Sequence, residues 1–301
     1  MPRPSSASYK SRDRGPMEFE SKLHEEEGEI MEIARSEIVT IAPSLPIKNS
    51  AEKMIENDVR RLPVTSPGTE KLQGMVVSRD IVDFLGGGKK HGIIENKHDG
   101  NFLSAVNDSS KLIMNPDTPY ASSKDSISDV AKKMEDTGVG GTPIVDKEDR
   151  VIGIVTERDF AKYLPNPAHV EVQAFMTGKV VTVEPDLFLM DVMKEMISNG
   201  FRRLPVIEDG QLTGIITSVD VLDYFGTNEV FQRMETENAR DALSVEVKEI
   251  MTKDPVTADP QEDLGEAAEK MEKTGYGGLP VLKDDEIVGI ITERDILEIL
   301  I

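Results

Sequence analysis

Apolar positions along this chain follow two alternating rhythms, one with helical three- and four-residue spacing and one of short β-rich runs, and the alternation recurs four times. The pattern is clearest in the third copy. Leu187, Met190, Met193, Met196 and Ile197 (with Leu189) recur at helical intervals, which predicts a helix with one buried face. Leu204-Pro-Val-Ile207 and Leu212-Thr-Gly-Ile-Ile-Thr217, joined by Glu208-Asp-Gly210, predict two strands and a turn. Val219 to Phe225 predicts a second helix, with Val221, Leu222 and Phe225 on its inner side. Helix starts are marked by Ser126-Ile-Ser-Asp129 and by Asp186 after Pro185, and Gly138, Gly200 and Gly275 suit the left-handed stop. A short extended piece with a Pro precedes each unit, as in Val181-Thr-Val-Glu-Pro185 and Val256-Thr-Ala-Asp-Pro260. The unit therefore reads β-α-β-β-α, an α/β (α+β) fold class.

Two spacings hold in every copy. A Met lies nine residues before a Pro: Met54 and Pro63, Met134 and Pro143, Met196 and Pro205, Met271 and Pro280. A Gly lies six residues before an Asp: Gly74 and Asp80, Gly153 and Asp159, Gly214 and Asp220, Gly289 and Asp295. Length varies only between Pro and Gly, where a turn joining two strands absorbs it. The copies also alternate. Copies one and three carry Arg60-Arg61-Leu-Pro63 and Arg202-Arg203-Leu-Pro205, whereas two and four carry Gly140-Gly141-Thr-Pro143 and Gly277-Gly278-Leu-Pro280. Such an order describes a duplicated pair. It predicts a first module over 31–165, with units at about 36–86 and 112–165, and a second over 166–301, with units at about 174–226 and 249–301.

Composition narrows the function. The net charge is −21, with 56 carboxylates against 35 basic residues, which argues against nucleic acid as principal partner. There is no Cys, so disulfides, thiolate metal sites and cysteine nucleophiles are excluded. No run approaches the ~20 apolar residues of a membrane helix and no secretory signal opens the chain, which predicts a cytoplasmic protein without a membrane partner. Residues 1–30 read as a disordered or weakly ordered tail, locally basic at Arg3, Lys10, Arg12 and Arg14, with an acid-rich helix over 18–36 leading into the first repeat. His24, His91, His98 and His169 do not form a metal-ligand spacing, and neither a Gly-x-Ser-x-Gly elbow nor a Walker loop occurs, so we expect no catalytic residues, no metal and no enzyme.

The candidate chemistry lies at the repeat ends. Thr156 to Asp159, Thr217 to Asp220 and Thr292 to Asp295 form Thr-x-x-Asp boxes; Val77 replaces the Thr in copy one and leaves Asp80 alone. Hydroxyl and carboxylate presented together suit a ribose diol, and both residue types equally suit a helix N-cap. Arg60, Arg61, Arg202 and Arg203 suit bidentate phosphate contact, or alternatively ion pairs with the many carboxylates. Arg158 and Arg294, each just before a box Asp, read as phosphate contacts or equally as solvated first-turn residues. At the matching places of the even copies the glycines read either as room for backbone to approach a ligand or a facing Arg, or as a plain turn requirement. Lys89, Lys90 and His91 follow three glycines in the connection after copy one and read as added positive charge or a solvated linker. Val39, Ile41, Val181, Val183, Val206 and Ile207 read as adenine-slot candidates or ordinary core.

On these motifs the chain, from about residue 36 to 301, resembles the CBS domain family, and within it the archaeal four-copy proteins and the γ subunits of AMP-activated protein kinase. The resemblance implies four units paired into two modules that form a flattened disc. It implies Asp80, Thr156, Asp159, Thr217, Asp220, Thr292 and Asp295 as ribose contacts, and Arg60, Arg61, Arg202 and Arg203 as phosphate contacts, with Arg158 and Arg294 as further candidates. It implies a non-catalytic sensor of AMP, ADP or ATP that signals to a protein partner, an enzyme, kinase-like protein or transporter. S-adenosylmethionine or methylthioadenosine, or a ligand-free scaffold, are the alternatives. A homodimer through the last helices is a further expectation.

Overall fold

In the computed structural model, which describes residues 23, 26–227, 229–233 and 242–301, each copy folds as its two rhythms dictate. Copy one comprises α1 (Ile47–Glu56), β1 (Arg61–Thr65), β2 (Leu72–Val77) and α2 (Ser78–Leu85). Copy two comprises β3 (Ala121–Ser122), α3 (Ile127–Thr137), β4 (Gly141–Val145), β5 (Val151–Thr156) and α4 (Glu157–Ala161). Copy three comprises α5 (Leu189–Asn199), β6 (Arg203–Glu208), β7 (Gln211–Thr217) and α6 (Ser218–Gly226). Copy four comprises β8 (Thr252–Lys253), α7 (Leu264–Thr274), β9 (Gly278–Lys283), β10 (Glu286–Thr292) and α8 (Glu293–Leu300). The tail over 1–16 lies outside the described residues, as do 18–22, 24 and 25 of the helix expected over 18–36. The described remainder of that helix is one turn, Ile30–Ile33.

The extended lead-in of each unit pairs in parallel with its first long strand: Ile41 with Val64, β3 with β4, Val183 with Val206, and Ala258 with Val281. The Met nine residues before each Pro explains itself by burial, since Met54, Met134, Met196 and Met271 are all at most 1% exposed. Gly138, Gly200 and Gly275 end their helices in the left-handed conformation, where a side chain would be strained. One expected boundary moves. α5 begins at Leu189 and not at Asp186, because Phe188 is held extended in a bridge to Glu246.

Units of one module exchange lead-ins across their sheet edges. The segment before copy one lies antiparallel on β5, through Arg35 and Ile154, and Asn115, before copy two, lies on β2 through Met75. The second module repeats this with Thr177 on β10 and β8 on β7. This crossing accounts for the Gly of the second strand. A Cβ at Gly74 would sit 2.5 Å from the Asn115 carbonyl oxygen, and one at Gly214 3.0 Å from that of Thr252. The strand admits its neighbour only because no side chain stands there.

Packing between modules is by helices, odd with odd and even with even. One core joins copies one and three, where α1 meets α6 and α2 meets α5; its largest buried side chains include Phe84, Phe102 and Phe225. The other joins copies two and four, where α8 meets α4 through residues such as Phe160, Ile296, Leu297 and Leu300. The apolar face of the last helix is thus covered by copy two of the same chain, which leaves little of it for the self-association expected there. No helix of the described residues is long and apolar enough to cross a membrane.

Candidate functional site

The exchanged lead-ins form the walls of crevices, and each crevice ends on the terminal Asp of a copy, set in a Thr-x-x-Asp box in all but copy one. In copy two, β5 stops at Thr156 and α4 starts at Glu157. The Thr156 backbone N–H and hydroxyl both donate to Asp159 Oδ2, at 2.9 and 2.8 Å. Copies three and four repeat the arrangement, with 2.7 Å contacts from the Thr217 and Thr292 hydroxyls. In copy one only the backbone half exists, Val77 N–H donating to Asp80 Oδ2 at 2.7 Å. The cap and the diol readings of the box are therefore compatible. The cap consumes Oδ2 and fixes the carboxylate, and Oδ1 is left for other partners.

The fate of Oδ1 distinguishes the copies. Asp159 Oδ1 lies 3.5 Å from the half-exposed Arg35 guanidinium. Asp220 Oδ1 accepts from the Thr252 hydroxyl at 3.1 Å. In copy one Lys90 binds Asp80 Oδ1, so Lys90 is no solvated linker residue. Among the described residues no donor is found on Asp295 Oδ1, and burial pushes this carboxyl up to about 6. Burial likewise raises Asp220, and raises Asp80 despite its lysine.

At the centre of the molecule the first turns of α2, α4, α6 and α8 converge, with the strand starts that carry the Arg and Gly pairs. From α2 and α6, Ser78 and Ser218 meet hydroxyl to hydroxyl at 3.2 Å. Copies two and four exchange ion pairs across the module boundary: Arg158 donates to Glu293 at 2.7 Å, and Arg294 to Glu157 at 3.0 Å. Arg202, from copy three, also donates to Glu157 at 3.1 Å, and Arg60 reaches the Gly275 carbonyl of copy four at 3.2 Å. The even-copy glycines face these guanidiniums. A Cβ at Gly140 would stand 2.3 Å from Arg61 Nη2 and 2.9 Å from Arg202 Nη1, and one at Gly278 2.2 Å from Arg203 Nη1. Of the two readings of the Gly pairs, it is the facing Arg that the geometry supplies.

Six guanidiniums and two carboxylates thus share this hub, with Asp58 beside Arg60 at its margin. Burial pushes Arg61 and Arg203 down to about 10, and the neighbouring Arg202 adds to the effect. Burial also works against ionised Glu157, but Arg202, Arg61 and Arg294 together outweigh it and hold its carboxyl at about 2. A cluster with surplus buried positive charge, in a chain of net charge −21, suits a multiply charged anion.

A pocket of about 760 Å³ runs from the first-module crevice into the hub. Its wall includes Arg35, Val39 and Thr156 at one end and Arg60, Arg61 and Arg158 at the other. Arg202 and Glu293, from the second module, also line it. All six arginines read from the sequence are brought to the hub. Of the box residues, Thr156 lines this pocket, with Asp159 buried behind it, and in copy four Asp295 lies within reach of the Arg203 charge. Asp80 and Asp220 lie on the other edge of each module, where the facing unit offers glycines. Of the adenine-slot candidates, Ile41, Val183 and Val206 are core, and Val39 lines the pocket. Sequence reasoning missed Glu157, Glu293 and Arg35. A signal for the first two was there, since Thr-Glu-Arg-Asp occurs in copies two and four alone.

The family described as CBS domain matches residues 30–87, 108–166, 172–227 and 247–301. The uncharacterized protein MJ1225 of Methanocaldococcus jannaschii is 38% identical over 273 residues, 89% of this chain and 98% of that protein. An uncharacterized 33.4 kDa protein of Thermofilum pendens is 32% identical over 263 residues, covering 85% of this chain and 87% of the relative. The crystal structure of MJ1225, put forward as an archaeal homologue of γ-AMPK, superposes with a TM-score of 0.85 over 90% of this chain and 99% of that one. A conserved protein of Pyrococcus horikoshii shares the fold, at 22% identity and a TM-score of 0.57 over 89% of this chain and 98% of that one. Four matched copies, the exchanged lead-ins and the paired boxes leave no other assignment: the chain belongs to the CBS domain family.

Proposed function

We propose that this chain is a non-catalytic regulatory protein that binds an adenine nucleotide, AMP, ADP or ATP, with its ribose on a box Asp and its phosphates in the arginine hub. The observation that carries the reading is the pocket that joins Thr156, whose hydroxyl holds the buried Asp159 just behind the wall, to Arg60, Arg61, Arg158 and Arg202 in one cavity. Its volume of about 760 Å³ lies in the usual range for small-ligand sites. The Asp295 crevice, beside Arg203, is the corresponding site of the second module. Likeness to a structure put forward as a γ-AMPK homologue supports the same direction. Two modules contribute to the first site, so a bound nucleotide favours one arrangement of them. A partner that reads this arrangement responds by linkage.

An adenosyl ligand without phosphates, the cationic S-adenosylmethionine or the neutral methylthioadenosine, leaves the hub arginines without a phosphate counterion, which is why the nucleotide is preferred. Calorimetric titration of ATP and of methylthioadenosine into wild type, Arg202→Ala and Asp159→Asn tests the choice. The proposal expects ATP to bind more tightly and to lose affinity in both variants. Equal binding of the two ligands, indifferent to Arg202, overturns it.

A further inference from the structure

The connection after copy one, Gly86-Gly-Gly-Lys-Lys-His-Gly92, has no counterpart in the other three copies, and the nucleotide reading does not use it. Its geometry is closely specified. Gly86 ends α2 against copy three, where a Cβ would stand 2.4 Å from Met193 Cβ. Gly87 adopts a left-handed φ of 81°, and a Cβ on Gly88 would fall 2.2 Å from the Asp83 carboxylate. That carboxylate accepts the Lys90 backbone N–H at 2.8 Å, and His91 Nδ1 is bonded to the Phe84 carbonyl at 2.9 Å. Three glycines, Asp83 and His91 therefore hold the backbone so that Lys90 points back toward the box of its own copy.

There Lys90 spans the crevice. Its ammonium donates to Asp80 Oδ1, the oxygen that the cap leaves over, and to the Ile113 carbonyl at 2.5 Å. Ile113 belongs to the lead-in of copy two, which pairs with β2 through Asn115 and forms the opposite wall. In the Asp159 crevice the corresponding places are the carboxylate and the lead-in at Arg35 to Val39, and that cavity is open. In copy three the Asp220 oxygen meets, among the described residues, only a hydroxyl from the lead-in itself. Lys90 is 24% exposed and Asp80 15%, so the pair is sheltered, and the facing unit brings glycines and not arginines.

We propose that Lys90 is a built-in occupant of the copy-one crevice, closing it to nucleotides and bracing its two walls. This deepens the nucleotide reading and rests on it. The chain then has one open crevice fewer than it has copies. Asp80 serves as a structural anion, and the first module holds ligand on its Asp159 side alone.

Equilibrium dialysis of the full chain with labelled ATP, counting molecules bound per chain, is the test. The count is unchanged in Asp80→Asn, rises by one in Lys90→Ala, and returns to the wild-type value in the double variant. A count that falls by one in Asp80→Asn, or fails to rise in Lys90→Ala, overturns the proposal. A fall in Lys90→Ala makes Lys90 a ligand-binding residue and overturns it as well. Melting without ligand tests the brace separately: the two single variants and the double lower Tm by nearly the same amount, and additive losses refute it. If wild type binds no ATP and Asp159→Asn changes nothing, the nucleotide reading fails, and the melting cycle still decides whether Lys90 locks the crevice.

Discussion

Glu157 is the residue on which the hub reading can be tested most sharply. It is 4% exposed, belongs to copy two, and is held by Arg294 of copy four and Arg202 of copy three at 3.0 and 3.1 Å. Its carboxyl is lowered from 4.5 to about 2, because the three surrounding guanidiniums outweigh the cost of burial. That drop corresponds to about 3 kcal/mol of stability at neutral pH, to order of magnitude. For a carboxyl lowered in the folded state, this stability is fully present above about 4.5 and disappears as pH falls toward 2. Glu157→Gln keeps the shape and removes the charge. At pH 7 the ligand-free variant is expected to lose about 2–4 kcal/mol, a fall in Tm on the order of 5–10 °C for a chain of this size.

The nucleotide makes the second half of the prediction. In wild type, phosphates entering the hub compete with Glu157 for Arg202 and Arg294; in the variant that direct competitor is gone. ATP affinity is therefore expected to rise on the order of tenfold, about 1.4 kcal/mol, while ligand-free stability falls. Melting with and without ATP, together with calorimetric titration, measures both. A variant that loses stability and binds ATP no more tightly makes Glu157 purely structural and refutes the competition. A more stable ligand-free variant refutes the claim that its charge offsets the guanidiniums.

Three further outcomes follow from the same geometry. Arg202→Ala is expected to weaken ATP binding at the first-module pocket by about tenfold or more although Arg202 belongs to the second module. Its effect will not add to that of Asp159→Asn if both act on one ligand, and titration of the double variant decides this. Gly278→Ala places a Cβ 2.2 Å from Arg203 Nη1 and 2.9 Å from the Ile291 carbonyl oxygen, so it is expected to cost about 1–3 kcal/mol by thermal melting and to displace Arg203. Gly277→Ala, whose nearest neighbours lie at 3.0 Å, costs less. Asp295, raised from 3.8 to about 6 by burial, makes the folded chain lose stability as pH rises through that interval, and the neutral Asp295→Asn escapes the loss. The ligand-free variant therefore melts higher than wild type at pH 7.5, by about 2 kcal/mol or less, and equally at pH 4, while binding nucleotide less well; a wild type that is the more stable at pH 7.5 contradicts the burial argument.

How far the chain could be read in advance depends on the range of each interaction. The four units were legible because their signals are local: helical spacing around Met196, the left-handed glycines, and the box three residues long. The Gly six residues before each Asp was visible as a spacing but not as a reason. Its cause is the lead-in of another unit, about forty residues or more away along the chain at Gly74 and Asn115. Arg158 and Arg294 read equally as solvated first-turn residues, because their partners Glu293 and Glu157 are more than a hundred positions distant. Lys90 was left between added charge and a solvated linker for a related reason. A Gly-rich connection looks solvated until Met193 is seen to require Gly86, a left-handed φ Gly87 and Asp83 Gly88. The start of α5 failed at Asp186 because Phe188 answers to Glu246 and not to its own helix.

Duplication explains why the hub is divided as it is. A module of two identical units would place either four arginines or four glycines at its centre; the first repels itself and the second binds no phosphate. Alternation solves both problems, since odd copies supply the guanidiniums and even copies supply the room, as Arg61 against Gly141 and Arg203 against Gly278 show. Even copies also supply Glu157 and Glu293, which hold the two modules together through Arg294 and Arg158. The carboxylates that join the modules are thus bonded to arginines that a phosphate would claim. A ligand entering the first pocket meets Arg202 and Glu293 of the second module before it meets bulk protein. Its charge must then be weighed against the intermodule ion pairs, and ligands that differ only in phosphate number must differ in how strongly they shift that balance. Discrimination among AMP, ADP and ATP requires no separate sensing element on this account, because the grip on phosphate and the grip between modules are made by the same side chains.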